Sequence, residues 1–240
     1  MLYLAEVMAM DKLETEAKFV IPDLATFTAL QQLTHLDDFE LKPIGVKTVV
    51  DRYLDTANKR LYQAGWACRL RSSESKQLIN LKSLTPAQDN VHRRQELEIE
   101  VETPQLPVDQ PHAWPDSPAK ELVVQSVGPA LLQSLFTLHQ TRHQFHGLKQ
   151  GQPVIELSLD EVSLNDASVV NYRELEVELI ERGVEADLAL LVEALQAQWP
   201  LKVETQSKFE RALAEVSAHT KPGGQMDPEQ AVQTAPKSPN

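Results

Sequence analysis

The sequence predicts an α+β protein: eight strands in an antiparallel sheet or barrel, with helices packed around it. Two observations carry this reading. Apolar and charged residues alternate with period two in segment after segment, and only four stretches show a helical stripe. A third observation separates the chain from an ordinary half-solvated sheet. The polar sides of the alternation are runs of one sign, acidic on some strands and basic on others.

Residues 13–20 set Glu14, Glu16 and Lys18 against Leu13, Ala17 and Phe19. Residues 95–101 set Glu96, Glu98 and Glu100 against Leu97, Ile99 and Val101, and 174–180 set Glu174, Glu176 and Glu178 against Leu175, Val177 and Leu179. Weaker alternation marks strands at 47–54, 67–71, 77–82, 135–145 and 154–162, and loop lengths favour antiparallel neighbours. Pro22, at a first-turn position, opens a helix whose Leu24, Phe27, Leu30 and Leu33 form one stripe. Leu188, Leu191, Val192, Leu195 and Trp199 mark a second helix, ended by Pro200, and shorter ones fit 119–127 and 207–216. Five prolines in the sixteen residues 103–118 predict a long loop.

Composition bounds the function classes. The 240 residues, 42% hydrophobic and 24% charged, suit one packed domain. A net charge of −12 argues against nucleic acid or an anionic membrane as partner. Cys68, the single cysteine, excludes an intramolecular disulfide and a cysteine-based zinc cage. No apolar run reaches the length of a membrane span. The expected organisation is a leader at 1–12, a folded domain at 13–216 and a disordered, Pro-rich tail at 217–240. The leader carries Glu6 and no basic region, unlike a signal peptide, and Met8 or Met10 reads as an alternative start. The expected location is cytoplasmic.

The charge runs lead to a chemistry. Like charges opposite one another across a sheet repel, so a solvated face would intersperse them. Arg69 and Arg71 share one face, Lys82 ends the next strand, and Arg94 lies in phase with Glu96 and Glu98. Closing the sheet with these faces inward creates a water-filled interior lined by both signs. Acidic clusters there suit divalent cations, and arginine forks suit phosphate oxygens. An apolar-ligand barrel is excluded, because the phase that buries Leu97, Ile99, Leu175 and Val177 turns the charges inward.

The segment Glu14-x-Glu16-x-Lys18 resembles the ExExK signature of the CYTH superfamily, the triphosphate tunnel metalloenzymes. Further segments are similar to that family in order and phase: Tyr53-Leu-Asp55-Thr56, Gly65-Trp-Ala-Cys-Arg69-Leu-Arg71, Leu81-Lys82, Arg94-Gln-Glu96-Leu-Glu98, Arg142, Leu159-Asp160, Glu174-Leu-Glu176-Val-Glu178 and Ser207-Lys208-Phe209-Glu-Arg211. The likeness covers about residues 13–211. It implies an eight-stranded antiparallel β-barrel, a Mg²⁺ or Mn²⁺ requirement and action on triphosphates, with bacterial inorganic triphosphatases the nearest type. A class IV-like adenylyl cyclase, a thiamine triphosphatase and a non-catalytic polyphosphate-binding module are the alternatives. A CHAD-type helical domain is an implied partner if the chain is a fragment.

Carried onto this sequence, the resemblance implies Glu14, Glu16, Glu174, Glu176 and Asp160 as metal ligands. Lys18, Arg69, Arg71, Lys82, Arg94, Arg142, Lys208 and Arg211 are expected to cradle phosphates, Lys82 also serving catalysis. A second metal, or Glu98 or Glu178, is expected to position and activate the attacking water. Asp55 reads equally as a metal ligand or as a brace for a basic residue, and Glu100 and Glu102 as a solvated strand end. Tyr53 reads as packing. His139, His143 and His146 read as strand residues, His146 opposite to the other two, rather than as a zinc site. Cys68 is expected on the packed side.

Overall fold

The computed structural model describes residues 11–73, 76–101, 106–166 and 169–219. Eight strands close into an antiparallel barrel. They are β1 (Asp11–Ile21), β3 (Phe39–Asp55), β4 (Trp66–Ser72), β5 (Gln77–Ser83), β6 (Val91–Glu100), β7 (Gln133–Lys149), β8 (Gln152–Leu164) and β9 (Tyr172–Leu179). Two-residue strands β2 (His35–Leu36) and β10 (Lys202–Val203) add to β3 and β1. The order around the barrel is β1-β6-β5-β4-β3-β7-β8-β9, and β9 returns to β1. Closure leaves the barrel without the two edges an open sheet would expose.

Each predicted strand is present and runs longer than its alternation alone marks, β3 and β7 most of all. β3 begins at Phe39 and passes through Pro43 and Gly45 at a bulge where the pairing with β7 slips. Proline lacks a backbone donor, and the bulge absorbs that gap in the ladder, so the strand continues through it.

The helices are α1 (Leu24–Gln31), α2 (Arg60–Gln63), α3 (Pro118–Val127), α4 (Glu185–Gln198) and α5 (Lys208–His219). Asp23 caps α1 by accepting from Thr26 N at 2.7 Å, so Pro22 precedes the cap instead of opening the first turn. Leu24 of the expected α1 stripe is exposed, and Phe27 and Leu30 carry the packing. Ser207 and Glu210 form a capping box on α5: Ser207 Oγ accepts from Glu210 N, and Ser207 N donates to Glu210 Oε2. The Pro-rich segment makes a 3₁₀ turn at Pro111–Ala113 and buries Trp114, which anchors it to the barrel.

Two of three hydrophobic clusters lie outside the barrel; the third, with Tyr53, Phe136, Leu138, Val162 and Phe209, fills one end of it beneath α5. The outward rows of β1, β8 and β9, with Phe19, Leu157, Leu175 and Val177, pack on α1 and α4. Those of β5 and β6, with Ile79, Leu81, Leu97 and Ile99, pack on Leu61, Trp114 and α3. Each fully buried aliphatic side chain contributes roughly 1.5–3 kcal/mol. This outer core offsets the desolvation of the charged interior. Cys68 belongs to it, and burial, then the nearby Asp55 carboxylate, pushes its thiol up to about 12. Among the described residues, no helix is long and apolar enough to cross a membrane. The expected 1–12 leader and 217–240 tail fall almost wholly outside the described residues, as does Glu102.

Candidate active site

Period two turns one side chain of each strand pair into the barrel. The inward rows carry three linked ionic clusters. In the first, Asp51 of β3 is fully buried beneath two guanidinium groups. Arg71 donates to it through Nε and Nη2, both at 2.8 Å, Arg69 through Nη1 at 3.2 Å, and Gln140 through Nε2 at 2.7 Å. Burial raises the Asp51 carboxyl, but Arg69 and Arg71 outweigh it and hold the group well below its ordinary value.

In the second cluster Glu14 and Glu16 of β1 meet β5 and β6. Lys82 Nζ lies 2.6 Å from Glu14 and 3.5 Å from Glu96, and Arg94 bonds to both Glu14 and Glu16. Burial raises the Glu14 carboxyl, and Lys82 and Arg94 bring it below its usual range. Glu96 is likewise raised by burial, then lowered by Lys82 and Arg69 to about 2. Asn80 donates to Glu96 at 2.5 Å and to Glu98 at 2.9 Å.

The third cluster occupies β7–β9 and α5. Arg142 reaches Asp160 at 2.6 Å and 2.8 Å, and Glu176 at 2.6 Å. Lys208 touches Asp160, Glu174 and Glu176 at 2.9, 2.9 and 2.6 Å. Lys18 lies 2.8 Å from Glu176 and 3.2 Å from Glu16, joining this cluster to the second. Burial lowers the Lys208 ammonium, but Asp160 and Glu174 carry it well above its usual value. Burial raises the Glu174 carboxyl further than Lys208 and Lys18 lower it.

Apart from Asp55, the residues expected to hold metal or phosphate or to activate water lie on inward rows or, for Lys208 and Arg211, reach in from α5. They surround a cavity of about 360 Å³. Glu14, Glu98, Glu176, Glu178, Arg69, Arg71, Lys82 and Arg142 line it. Glu16, Asp160 and Glu174 sit behind that lining, sealed by Arg94, Arg142 and Lys208. Phase selects Arg94 over Arg93 as expected: Arg93 points outward and clasps Glu185 of α4.

Asp55 does neither of the two things its phase suggested. Its carboxylate accepts from the backbone N–H groups of Thr56, Leu61 and Tyr62 and so fixes the start of α2. Asp51, Asn80, Gln140 and Gln144 are site residues that the charge pattern missed. A lone carboxylate and neutral amides make no run of like sign, and only their strand phase signals them. His143 packs edge-on against Phe27 outside the barrel.

The donor set fits a hard divalent cation. The carboxylates offer oxygen alone, and Glu16, Glu178 and Glu156 stand side by side across β1, β9 and β8. Three like charges in one row repel, and Mg²⁺ or Mn²⁺ accepts such oxygens. Among the described residues no ready-made cage of three acidic, histidine or cysteine ligands occurs. The carboxylates are instead held by ammonium, guanidinium and amide groups.

A closed eight-stranded barrel with carboxylates and cations interleaved along its bore defines a class of protein, and the comparisons agree with it. The chain belongs to the CYTH domain family, whose match spans residues 12–213. Among solved structures, a putative adenylyl cyclase from Hippeastrum, described as having a dominant triphosphatase activity, is similar over 84% of this chain and 96% of its own. The identity is 22% and the TM-score 0.63. A putative adenylate cyclase from Bacillus halodurans matches 84% of this chain and 97% of its own at 19% identity, TM-score 0.58. The PH1819 protein of Pyrococcus horikoshii matches 84% and 99% at 17% identity, TM-score 0.52. At these identities the likeness establishes the fold. No curated protein matches the sequence.

Proposed function

We propose that the chain is a metal-dependent inorganic triphosphatase working inside the barrel. The observation that carries this reading is the bore itself: forked arginines and lysines braced by buried carboxylates around a cavity that fits a short polyanion. The description of the Hippeastrum relative supports triphosphatase chemistry over cyclisation.

In this reading Lys18, Arg69, Arg71, Lys82, Arg94, Arg142 and Lys208 bind phosphate oxygens, with Arg211 steadying Glu174 behind them. Glu14, Glu16, Glu174, Glu176 and Asp160 would supply oxygens to Mg²⁺ or Mn²⁺, which when bound would neutralise phosphate charge. Incoming phosphates compete for the ammonium and guanidinium groups, which frees carboxylate oxygens in the same event. Glu98 or Glu178 orients a water and accepts its proton. The water oxygen bonds to a terminal phosphorus, and the bridging oxygen leaves with the bonding pair on diphosphate. The products are orthophosphate, pyrophosphate and one proton.

The test is a substrate panel: inorganic triphosphate, ATP, thiamine triphosphate and pyrophosphate, with phosphate release and product identity measured. Metal-dependent cleavage of inorganic triphosphate ahead of the organic triphosphates is the expected outcome. Cyclic AMP and pyrophosphate from ATP would make the chain a cyclase, and binding without turnover a polyphosphate-binding module.

A further inference from the structure

We propose that Asn80 is the positioning residue that makes Glu98 the water-activating group: it holds the carboxylate at the cavity wall by a hydrogen bond that brings no positive charge with it. This rests on the triphosphatase reading of the same bore and narrows it from two candidate carboxylates to one.

The inward carboxylates are of two kinds. Glu14, Glu16, Asp51, Asp160, Glu174 and Glu176 each meet a lysine or arginine at hydrogen-bond distance. Among the described residues Glu98 has no such partner, and its Oε1 accepts from Asn80 Nδ2 at 2.9 Å. A cation beside a carboxylate favours the ionised form and so weakens it as a proton acceptor. Glu14 and Glu96 show this: burial raises both, and Lys82 then helps bring them below their usual range. An amide holds without that effect.

Asn80 is buried on β5 directly opposite Glu98 of β6, with Arg69 of β4 on its other side. Its Nδ2 also donates to Glu96 Oε1 at 2.5 Å, and Glu96 is anchored in turn by Lys82 at 3.5 Å. Turning the amide over would set its carbonyl oxygen against two carboxylates, so its orientation is fixed. The cations nearby are engaged elsewhere. Lys82 is on Glu14 and Glu96, Arg69 and Arg71 are on Asp51, and Lys76 is on Glu100, two residues further along β6.

A similar arrangement, Gln144 donating to Glu156 at 2.6 Å, stands elsewhere in the bore. Glu156 shares a row with Glu16 and Glu178, where massed negative charge suits a cation. Glu98 lines the cavity on the wall that carries Arg69, Arg71 and Lys82, the side expected to hold phosphate. There it takes a proton from water as the water oxygen bonds to the terminal phosphorus and the bridging oxygen leaves with the bonding pair.

The experiment follows the Glu98 carboxyl by carbon-13 NMR across pH in the purified full chain, its signal assigned by its absence in Glu98→Gln. Beside it, kcat/KM for inorganic triphosphate with Mg²⁺ is measured over the same pH range. Asn80→Asp sets a like charge opposite Glu98, and Asn80→Lys an opposite one. The Glu98 midpoint and the acid limb of the rate profile are expected to rise together by about one pH unit in Asn80→Asp and to fall together by about as much in Asn80→Lys. Lower turnover in both variants with neither curve displaced is the mark of a merely structural role and would overturn the proposal. A midpoint that moves while the acid limb stays would overturn it too, since another group would then take the proton. Asn80→Ser, small and neutral, serves if a charge at this position unfolds the barrel. Its shorter reach frees Glu98, so kcat is expected to fall about 10-fold or more with KM little changed, and an unchanged kcat counts against the proposal. Moved midpoints in a chain that releases no phosphate would sink the triphosphatase reading and leave the hold of Asn80 on Glu98 standing.

Discussion

Arg71 meets Asp51 as a two-pronged pair, Nε to Oδ1 and Nη2 to Oδ2, each at 2.8 Å. The same carboxylate holds Arg69 and Gln140 and is wholly buried. Asp51 thus works through the arginines: it sets the orientation of two guanidinium forks facing the cavity.

Replacing it leaves those forks unpaired in a buried site. Asp51→Asn is expected to lower unfolding free energy by about 3 kcal/mol, the scale of losing one partner of a buried pair. Urea denaturation measures this, and an unchanged midpoint would mean that Asn or water satisfies both arginines.

Arg71 is the partly exposed member of the pair, lining the cavity. If its free donors stabilise developing phosphate charge, Arg71→Ala costs about 10²–10³ in triphosphate turnover. A loss below about threefold would remove Arg71 from the phosphate set.

Glu16 bonds to Arg94 and Lys18 behind the cavity lining. Glu16→Gln keeps a hydrogen-bond acceptor for both cations while removing the charge. The fold is expected to persist by circular dichroism, and half-maximal activity to require more Mg²⁺. An unchanged metal titration would take Glu16 out of the ligand set.

The depressed carboxylates fix a pH dependence. Asp51 and Glu96 have ordinary values of 3.8 and 4.5, and both are held lower in the folded chain, Glu96 at about 2. A carboxyl held low binds fewer protons folded than unfolded across that window, so stability falls as pH drops. Their contribution is present above pH 4.5 and declines as pH falls through 4.5 and 3.8, that of Glu96 being lost toward about 2 and that of Asp51 lower still. Thermal melts from pH 6 down to pH 2 should show this decline, shallower in Asp51→Asn.

Much of this was legible in the chain because strand period and charge sign report on the same face. Glu14, Glu96 and Glu176 each announce an inward row, since no solvated face stacks carboxylates so densely, and Arg94 over Arg93 follows from phase alone. What the pattern could not give was pairing across distant strands. Asp51 and Asp55 look alike in sequence, four residues apart on one row, yet one braces arginines and the other caps α2. Only the position of α2, just past the end of β3, separates them. The packing of Phe209 on Tyr53 and Phe136 was hidden for a related reason: the sequence marks α5 as a helix but not what its apolar side covers.

The central claim is that triphosphate is bound and cleaved within the bore by its charged walls. The most direct measurement is phosphate release from inorganic triphosphate by the full chain, with Mg²⁺, with Mn²⁺ and with EDTA, beside Lys82→Ala. Metal-dependent release that EDTA abolishes and the variant reduces is the predicted result. Release that survives EDTA, or is the same in Lys82→Ala, would place the chemistry elsewhere and contradict the account.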